Sequence, residues 1–221
     1  MYHKANNEEN QDALYSGENR RFAVITLADG VSECKEAKTG AEIAVKSLTE
    51  LFLKKGEYFI NFDKKQIAEF AVSHINYELR KKAESEKKNV EDYSSTVASV
   101  LLDRKSERLL YFSIGDSVII ASESGKCKII SKPSDSSQGC CVTTTKGAET
   151  MAETNIINVS GLDSVIICSD GAWKGIFKRN KLKEEVKELI KDNNYSELNK
   201  FIKYQDSFDD SSFISMVFKK L

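Results

Sequence analysis

The chain has 221 residues, with 33 lysines and arginines against 34 aspartates and glutamates, which gives a formal net charge of −1. This balance argues against a nucleic-acid-binding protein, which needs an excess of basic residues. A hydrophobic content of 40% argues against a disordered chain. At this length we expect one domain over residues 1–221, because a single core can still grow to about 250 residues.

The cysteines and the first residues of the chain indicate the cellular compartment. Five cysteines without a CxxC pair and two histidines disfavour a disulfide framework and a zinc site. The opening MYHKANNEENQD lacks the apolar segment of a signal peptide. No run approaches the roughly 18 apolar residues that a membrane helix needs. We therefore expect a cytoplasmic protein with reduced thiols that binds neither nucleic acid nor membranes.

The predicted elements of the first half begin with a strand over residues 22–28, which stops at Asp29-Gly30. Apolar residues at helical spacing then predict two amphipathic helices, over about 39–54 and 64–84. An antiparallel meander is predicted next from four short β-rich segments, at 96–102, 109–114, 117–122 and 128–131.

In the second half, residues 132–151 are rich in Ser, Thr and Gly and predict a flap-like loop. The remaining predicted elements are two strands, two helices and a closing strand, at 156–159, 164–168, about 180–191, about 195–203 and about 212–218. Because helices and strands are segregated along the chain, this order favours an α+β fold over a parallel doubly wound sheet.

Aspartates stand where predicted strands begin or end, and Gly follows two of them: the set is Asp12, Asp29, Asp116, Asp170 and Asp209. Strand ends meet at one rim of a sheet, so these carboxylates could converge. Converging carboxylates repel each other, which raises their pKa values and destabilises the fold unless cations neutralise them. Oxygen ligands without His or Cys favour Mg²⁺ or Mn²⁺. Asp-Gly is also a common turn, so the residues alone leave a metal site and a set of turns as alternatives.

Seven short motifs occur in a fixed order: Asn10-Gln11-Asp12, Asp29-Gly30-Val31, Gly40-Ala41, Ser94-Ser95-Thr96-Val97, Gly115-Asp116-Ser117, Ser169-Asp170-Gly171-Ala172-Trp173 and Asp209-Asp210-Ser211-Ser212. In this order they resemble the metal-dependent protein Ser/Thr phosphatases of the type 2C class (PPM family), in its bacterial subgroup. The match covers essentially the whole chain. The resemblance implies a four-layer αββα sandwich, in which two antiparallel β-sheets are flanked by helices.

The resemblance also implies roles for the aspartates. Asp29 would bridge two metal ions, helped by the Gly30 carbonyl, and Asp170 and Asp209 would bind the first ion. These three aspartates are the implied catalytic residues, acting through a bridging water or hydroxide that attacks phosphorus. No protein nucleophile is then needed.

Two further aspartates complete the implied site. Asp12 would orient waters around the second ion, and Asp116 would hold a third ion more weakly. The implied cofactors are therefore two or three Mn²⁺ or Mg²⁺ ions. The implied substrate is phosphoserine or phosphothreonine on a protein of a cognate Ser/Thr kinase pathway, and we expect a monomer.

The sequence departs from the family pattern at two positions. Many members clamp the substrate phosphate with an Arg five residues before the first aspartate, where Asn7 stands here. His3 and Lys4 are the candidate phosphate contacts instead. Some members carry a His as general acid two residues after the bridging aspartate, where this chain has Val31.

These departures leave an alternative open: a catalytically weak pseudophosphatase that binds a phosphoprotein or another partner. A third hypothesis is an unrelated acidic-site hydrolase such as a phosphodiesterase, which the lack of histidine ligands disfavours.

Overall fold

The computed structural model describes residues 10–132, 141–179, 181–204 and 209–218. The candidate phosphate contacts His3 and Lys4, and Asn7, lie outside the described residues. The strands are β1 (Asp12–Glu18), β2 (Phe22–Asp29), β3 (Val97–Asp103), β4 (Arg108–Ile114), β5 (Val118–Glu123), β6 (Lys126–Ser131), β7 (Glu153–Asn158), β8 (Leu162–Cys168), β9 (Phe177–Lys178), β10 (Lys181–Leu182) and β11 (Phe213–Val217). The α-helices are α1 (Ala37–Phe59), α2 (Lys64–Glu86), α3 (Ala148–Met151), α4 (Asp170–Ile176), α5 (Glu184–Lys191) and α6 (Tyr195–Lys203), and a 3₁₀ helix covers Val90–Tyr93.

The strands form two larger antiparallel sheets. The first has the order β1-β2-β3-β4-β7 and the second the order β11-β8-β5-β6, while β9 and β10 form a two-residue ribbon. The predicted single meander is therefore wrong, because the β3–β4 hairpin belongs to the first sheet and the β5–β6 hairpin to the second. The chain crosses between the sheets at Gly115, whose φ of +102° is open to glycine and strained for other residues.

Three apolar cores separate four layers. The core between the sheets contains Ile25, Val100, Ile119 and Ile167. A second core lies between the first sheet and helices α1 and α2, and a third lies between the second sheet and helices α4, α5 and α6. The predicted α+β fold, a four-layer αββα sandwich, is confirmed.

The two long helices follow the predicted apolar periodicity. In α2 the buried residues Ile67, Ala71, Ile75 and Leu79 recur every fourth position and face the core. Helix α1 runs five residues beyond the predicted end because its apolar face continues to Phe59, which contacts Phe52 edge-on.

Several elements differ from the sequence-based expectation. The helix predicted at about 180–191 begins only at Glu184, because Lys181–Leu182 form the strand β10. β1 was not predicted because it is an edge strand in which only Asp12 and Ala13 are buried. Helix α4 was not predicted either. The flap-like loop expected at 132–151 falls partly outside the described residues. Its end forms the short helix α3, whose Ala148 packs into the core between the first sheet and helices α1 and α2. None of the described helices combines the length and apolar character needed to cross a bilayer.

Candidate active site

Two of the five aspartates face each other at one end of neighbouring strands. Asp12 opens β1, Asp29 ends β2, and the antiparallel register pairs them directly. Such opposite positions lie about 4.5–5.5 Å apart at Cβ. The Asp29 backbone is fixed by Thr96, whose N–H donates to the Asp29 carbonyl at 2.8 Å and whose Oγ1 accepts from the Asp29 N–H at 3.1 Å.

Hydrogen bonds from the second sheet reach this pair. Ser169 follows β8, and its Oγ donates to Asp12 Oδ2 at 3.0 Å. The backbone N–H of Ser169 donates to the Ser212 carbonyl at 2.9 Å, and the Ser212 N–H donates to Ser169 Oγ at 3.0 Å. These bonds join the end of β8 and the residue before β11 to Asp12, so the rims of the two sheets meet at the aspartates.

Asp210 was not singled out as a site residue by the sequence, although its position beside Asp209 was a signal. It is 3% exposed, and its Oδ2 accepts the backbone N–H of Gln11 at 2.7 Å. A side chain at Gly171 would place Cβ 2.0 Å from the Asp210 carbonyl oxygen. The start of α4 therefore fits against the segment before β11 only because Gly171 has no side chain.

The electrostatics of the cluster are centred on Asp29. Burial, followed by the charges of Asp12, Asp170, Asp209 and Asp116, raises the pKa of Asp29 to about 10. Burial raises the pKa of Asp12 to about 6. Burial and the charge of Asp170 also raise the pKa values of Asp116 and Asp209. The other four aspartates singled out in the sequence thus all lie within electrostatic reach of Asp29, in a partly buried site.

The donor atoms fit the chemistry of a hard divalent cation. Asp12 Oδ1 and Asp170 Oδ1 are buried and accept no hydrogen bond from the described residues. The cluster consists of carboxylate oxygens, which Mg²⁺ and Mn²⁺ prefer. In the described ranges, however, no group of three or more His, Cys, Asp or Glu side chains is already arranged to hold an ion. The carboxylates would therefore have to turn toward a bound ion.

The predicted carbonyl ligand, Gly30, directly follows Asp29. Its N–H donates to the Gln11 carbonyl at 3.3 Å, and it forms a β-bridge with Ser95. Gly30 therefore lies on the same rim as Asp12 and Asp29.

The residues after Asp170 support the cluster from α4. Trp173 Nε1 donates to the Asp116 carbonyl at 2.7 Å, and the Trp173 ring packs edge-on against Phe177. Trp173 therefore fixes the loop that carries Asp116. Lys174 forms an ion pair with Asp170 Oδ2, which the sequence did not indicate.

A cavity of about 530 Å³ opens beside the cluster, between β1 and α1. It is lined at one end by Asn10, Asp12 and Ser212 and farther along by Lys38 and Lys46. Lys38 Nζ donates to the backbone carbonyl of Asp12 at 2.7 Å. Lys38 and Lys174 thus bring positive charge to the site from the described part of the chain, and both were missed because their contacts depend on the tertiary fold.

Known proteins share this fold. The serine/threonine phosphatase Stp1 from Staphylococcus aureus aligns with a TM-score of 0.72 at 16% identity, over 96% of this chain and 91% of that chain. The S. agalactiae serine/threonine phosphatase aligns with a TM-score of 0.62 at 16% identity, over 95% and 93%. RsbX in complex with magnesium aligns with a TM-score of 0.55 at 13% identity, over 94% and 86%. At these identities the likeness shows the fold.

The family is shown by the sequence itself. No protein of curated function matches the chain significantly. The family profile described as Protein phosphatase 2C matches residues 1–203, which is most of the chain. The resemblance seen in the seven motifs and the expected enzyme class are both confirmed, and the chain belongs to the protein phosphatase 2C family of serine/threonine phosphatases.

Proposed function

We propose that the protein hydrolyses phosphoserine and phosphothreonine monoesters on a protein substrate, with Mn²⁺ or Mg²⁺, and so opposes a Ser/Thr kinase. The observation that carries the proposal is the convergence of four other aspartates on Asp29, whose pKa is raised to about 10 by burial and by their charges. A buried cluster of like charges is costly to the fold and is relieved by cations.

The first ion would be held by Asp170 and Asp209, with Asp29 and the Gly30 carbonyl shared with a second ion. Two observations support Asp170 in this role. It is 7% exposed, and its Oδ1 accepts no hydrogen bond within the described structure although it is buried. A buried carboxylate oxygen without a protein donor needs a partner such as a water or a cation, and the neighbouring carboxylates favour a cation.

Asp12 would act at the second ion through ordered waters, and Asp116 would hold a weaker third ion. Asp12 is suited to this role because Ser169 Oγ fixes its Oδ2 at 3.0 Å, while its Oδ1 has no donor among the described residues. Asp116 lies on the loop between the sheets and is held through its backbone by Trp173.

Divalent cations bound here would supply Lewis acidity, lowering the pKa of a water and neutralising phosphoryl oxygens. The protein's own residues would bind and orient. No side-chain nucleophile is indicated: Cys168 lies next to the cluster in sequence, but burial raises its pKa to about 12, which keeps the thiol protonated at neutral pH.

The proposal is tested by hydrolysis of p-nitrophenyl phosphate and of a phosphothreonine peptide. Turnover should require Mn²⁺ or Mg²⁺ and should fall by at least about a hundredfold in Asp29→Asn and in Asp170→Asn, since each variant removes a charged ligand of the site. Lys200→Met, far along the sequence on α6, should leave turnover unchanged. Robust turnover in EDTA, or full turnover in both aspartate variants, would refute the metal mechanism.

A second candidate function is a binding module with little turnover. It is favoured by Val31, which places an apolar side chain where some relatives have a histidine that acts as general acid. It is also favoured by the ion pair between Lys174 and Asp170. Calorimetry separates the two functions: a phosphatase takes up Mn²⁺ and turns over, whereas a binding module takes up no metal or binds it without hydrolysis.

We further propose that residues 1–221 act as one phosphatase domain, as a monomer in the cytoplasm. The αββα layers support the first point, since both sheets contribute aspartates to one site. Gel filtration with light scattering tests the second, and a dimer would contradict it.

A further inference from the structure

Lys174 faces the carboxylate cluster from one turn along α4. Its Nζ forms an ion pair with Asp170 Oδ2. The two ends of this pair differ in environment, because the Asp170 side chain is 10% exposed and the Lys174 side chain 57% exposed. The charges of Asp116 and Asp209 act on Lys174 as well. The ammonium therefore stands at the solvent side of three carboxylates that we assign to metal binding.

The Asp170 carboxylate cannot pair fully with the Lys174 ammonium while it binds a divalent cation. Its Oδ1 is buried without a hydrogen-bond donor among the described residues, and its Oδ2 is held by Lys174. A cation bound between Asp170 and Asp209 would lie beside the ammonium, and two like charges at such a distance repel each other. Binding of the cation must therefore weaken or break the ion pair.

We propose that Lys174 is a built-in counter-ion that competes with the divalent cation for Asp170 and thereby lowers the metal affinity of the site. This inference rests on the proposed metal-dependent function. Without metal, Lys174 offsets part of the repulsion within the cluster. With metal, the same charge opposes the ion, so the protein holds its metal less tightly than the aspartates alone would allow.

The pair differs from the other lysine–carboxylate pairs on the surface. Lys200 and Glu197 on α6, for example, are both about half exposed, at 58% and 49%. Pairs of that kind contribute up to about 1 kcal/mol, which corresponds to about a fivefold change in an equilibrium constant. Because the Asp170 end is buried, we expect an effect of at least that size at Lys174.

The test measures Mn²⁺ binding by calorimetry on the full chain, with melting temperatures in EDTA as a second readout. Lys174→Met keeps most of the side-chain stem and removes the charge. It should lower the dissociation constant for Mn²⁺ about fivefold or more and lower the melting temperature in EDTA. Lys174→Arg keeps the charge and should bind Mn²⁺ like the wild type. Lys200→Met, the matched control, should leave the Mn²⁺ affinity unchanged and should lower the melting temperature in EDTA by less than Lys174→Met does.

A double-mutant comparison assigns the effect to the ion pair. In an Asp170→Asn background, the removal of Lys174 should lower the melting temperature in EDTA by less than it does in the wild type, because the paired charge is gone and only the charges of Asp116 and Asp209 remain. An unchanged or weaker Mn²⁺ affinity in Lys174→Met, with wild type binding the metal and Asp170→Asn losing it, would overturn the inference and leave the proposed function standing. A wild-type protein that takes up no Mn²⁺ would overturn both.

Discussion

Asp29 shows how a single residue can be placed for function at the expense of stability. Asp29 lies opposite Asp12 in the strand register, and its carboxyl group is within reach of the charges of Asp116, Asp170 and Asp209. Burial and the charges of these four neighbours all raise the pKa of Asp29 and so disfavour its ionised form in the metal-free fold. Sites of this kind commonly trade stability for activity.

Asp29→Asn should therefore stabilise the metal-free protein. Near neutral pH the Asp29 carboxyl is ionised in the unfolded chain but must take up a proton on folding, because its pKa in the fold is about 10. Asn carries no charge in either state, so we expect a gain of about 0.5–2 kcal/mol in the free energy of unfolding in EDTA. The measurement is urea denaturation in EDTA near neutral pH. Asp192→Asn, at an exposed position on the end of α5, should change stability by less than about 0.5 kcal/mol. A clear loss of stability in Asp29→Asn would show that the fold does not disfavour the ionised carboxyl at this position.

The pH dependence of stability follows from the same two groups. Above about pH 4 the aspartates of the unfolded chain have released their protons, whereas the folded protein keeps the proton of Asp12 up to its pKa of about 6 and that of Asp29 up to about 10. Because the folded state binds more protons across this window, their contribution to stability in EDTA falls as pH rises. Denaturation between about pH 5 and 8 should show a steeper decline for wild type than for Asp29→Asn. Parallel profiles for the two proteins would contradict the raised pKa of Asp29.

The sequence could predict the five aspartates because each stands in a short motif beside a strand. It could not predict Asp210 or Lys38. Asp210 belongs to the site because its carboxylate accepts a hydrogen bond from the backbone N–H of Gln11, 199 positions away. Lys38 belongs to it because its ammonium donates to the carbonyl of Asp12. Such roles depend on tertiary contacts that no local pattern encodes.

At the scale of elements, periodic segments were predictable and assignment to a sheet was not. The apolar spacing in α1 and α2 and the continuous apolar run in β8 identified these elements. β1 carries no such pattern, because an edge strand buries few residues. Whether a hairpin joins the first or the second sheet is decided by long-range packing across the core, so the split of the expected meander could not be seen in the sequence.

The junction of β8, α4 and β11 depends on Gly171. Gly171→Ala would place Cβ 2.0 Å from the Asp210 carbonyl oxygen, which is backbone and cannot turn aside. We expect a loss of about 1–3 kcal/mol in stability together with a large loss of turnover. Urea denaturation and hydrolysis of p-nitrophenyl phosphate measure the two effects.

Gly17→Ala is the matched control for that variant, because its Cβ would meet the end of the Leu53 side chain, which can rotate. It should cost less stability than Gly171→Ala and leave turnover largely intact. Equal effects of the two substitutions would show that the close approach to Asp210 is not what the site requires.

At the scale of the whole molecule, the two sheets meet at the rim where the aspartates lie. Asp12 and Asp29 come from the first sheet, while Asp170 follows β8 of the second. A cation bound among them would tie the two sheets together and favour the folded state. The α+β class could be predicted from the order of elements. That the two sheets meet at this rim depends on the strand order within each sheet, which the sequence does not encode locally.

Binding of Mn²⁺ should accordingly stabilise the whole fold. A ligand that binds only the folded state adds about 2.7 kcal/mol at a hundredfold excess over its dissociation constant. Thermal unfolding with and without Mn²⁺ should show a higher melting temperature for wild type and little change for Asp29→Asn. An equal shift in both proteins would place the bound metal elsewhere.

The central claim is that the aspartates at this rim form the metal centre of the phosphatase. A crystal structure of the protein grown with manganese, with the ions located by anomalous scattering, tests it most directly. We expect manganese among Asp29, Asp170 and Asp209, with Lys174 displaced from Asp170. Manganese bound elsewhere, or absent from this rim while Lys174 stays paired with Asp170, would contradict the claim.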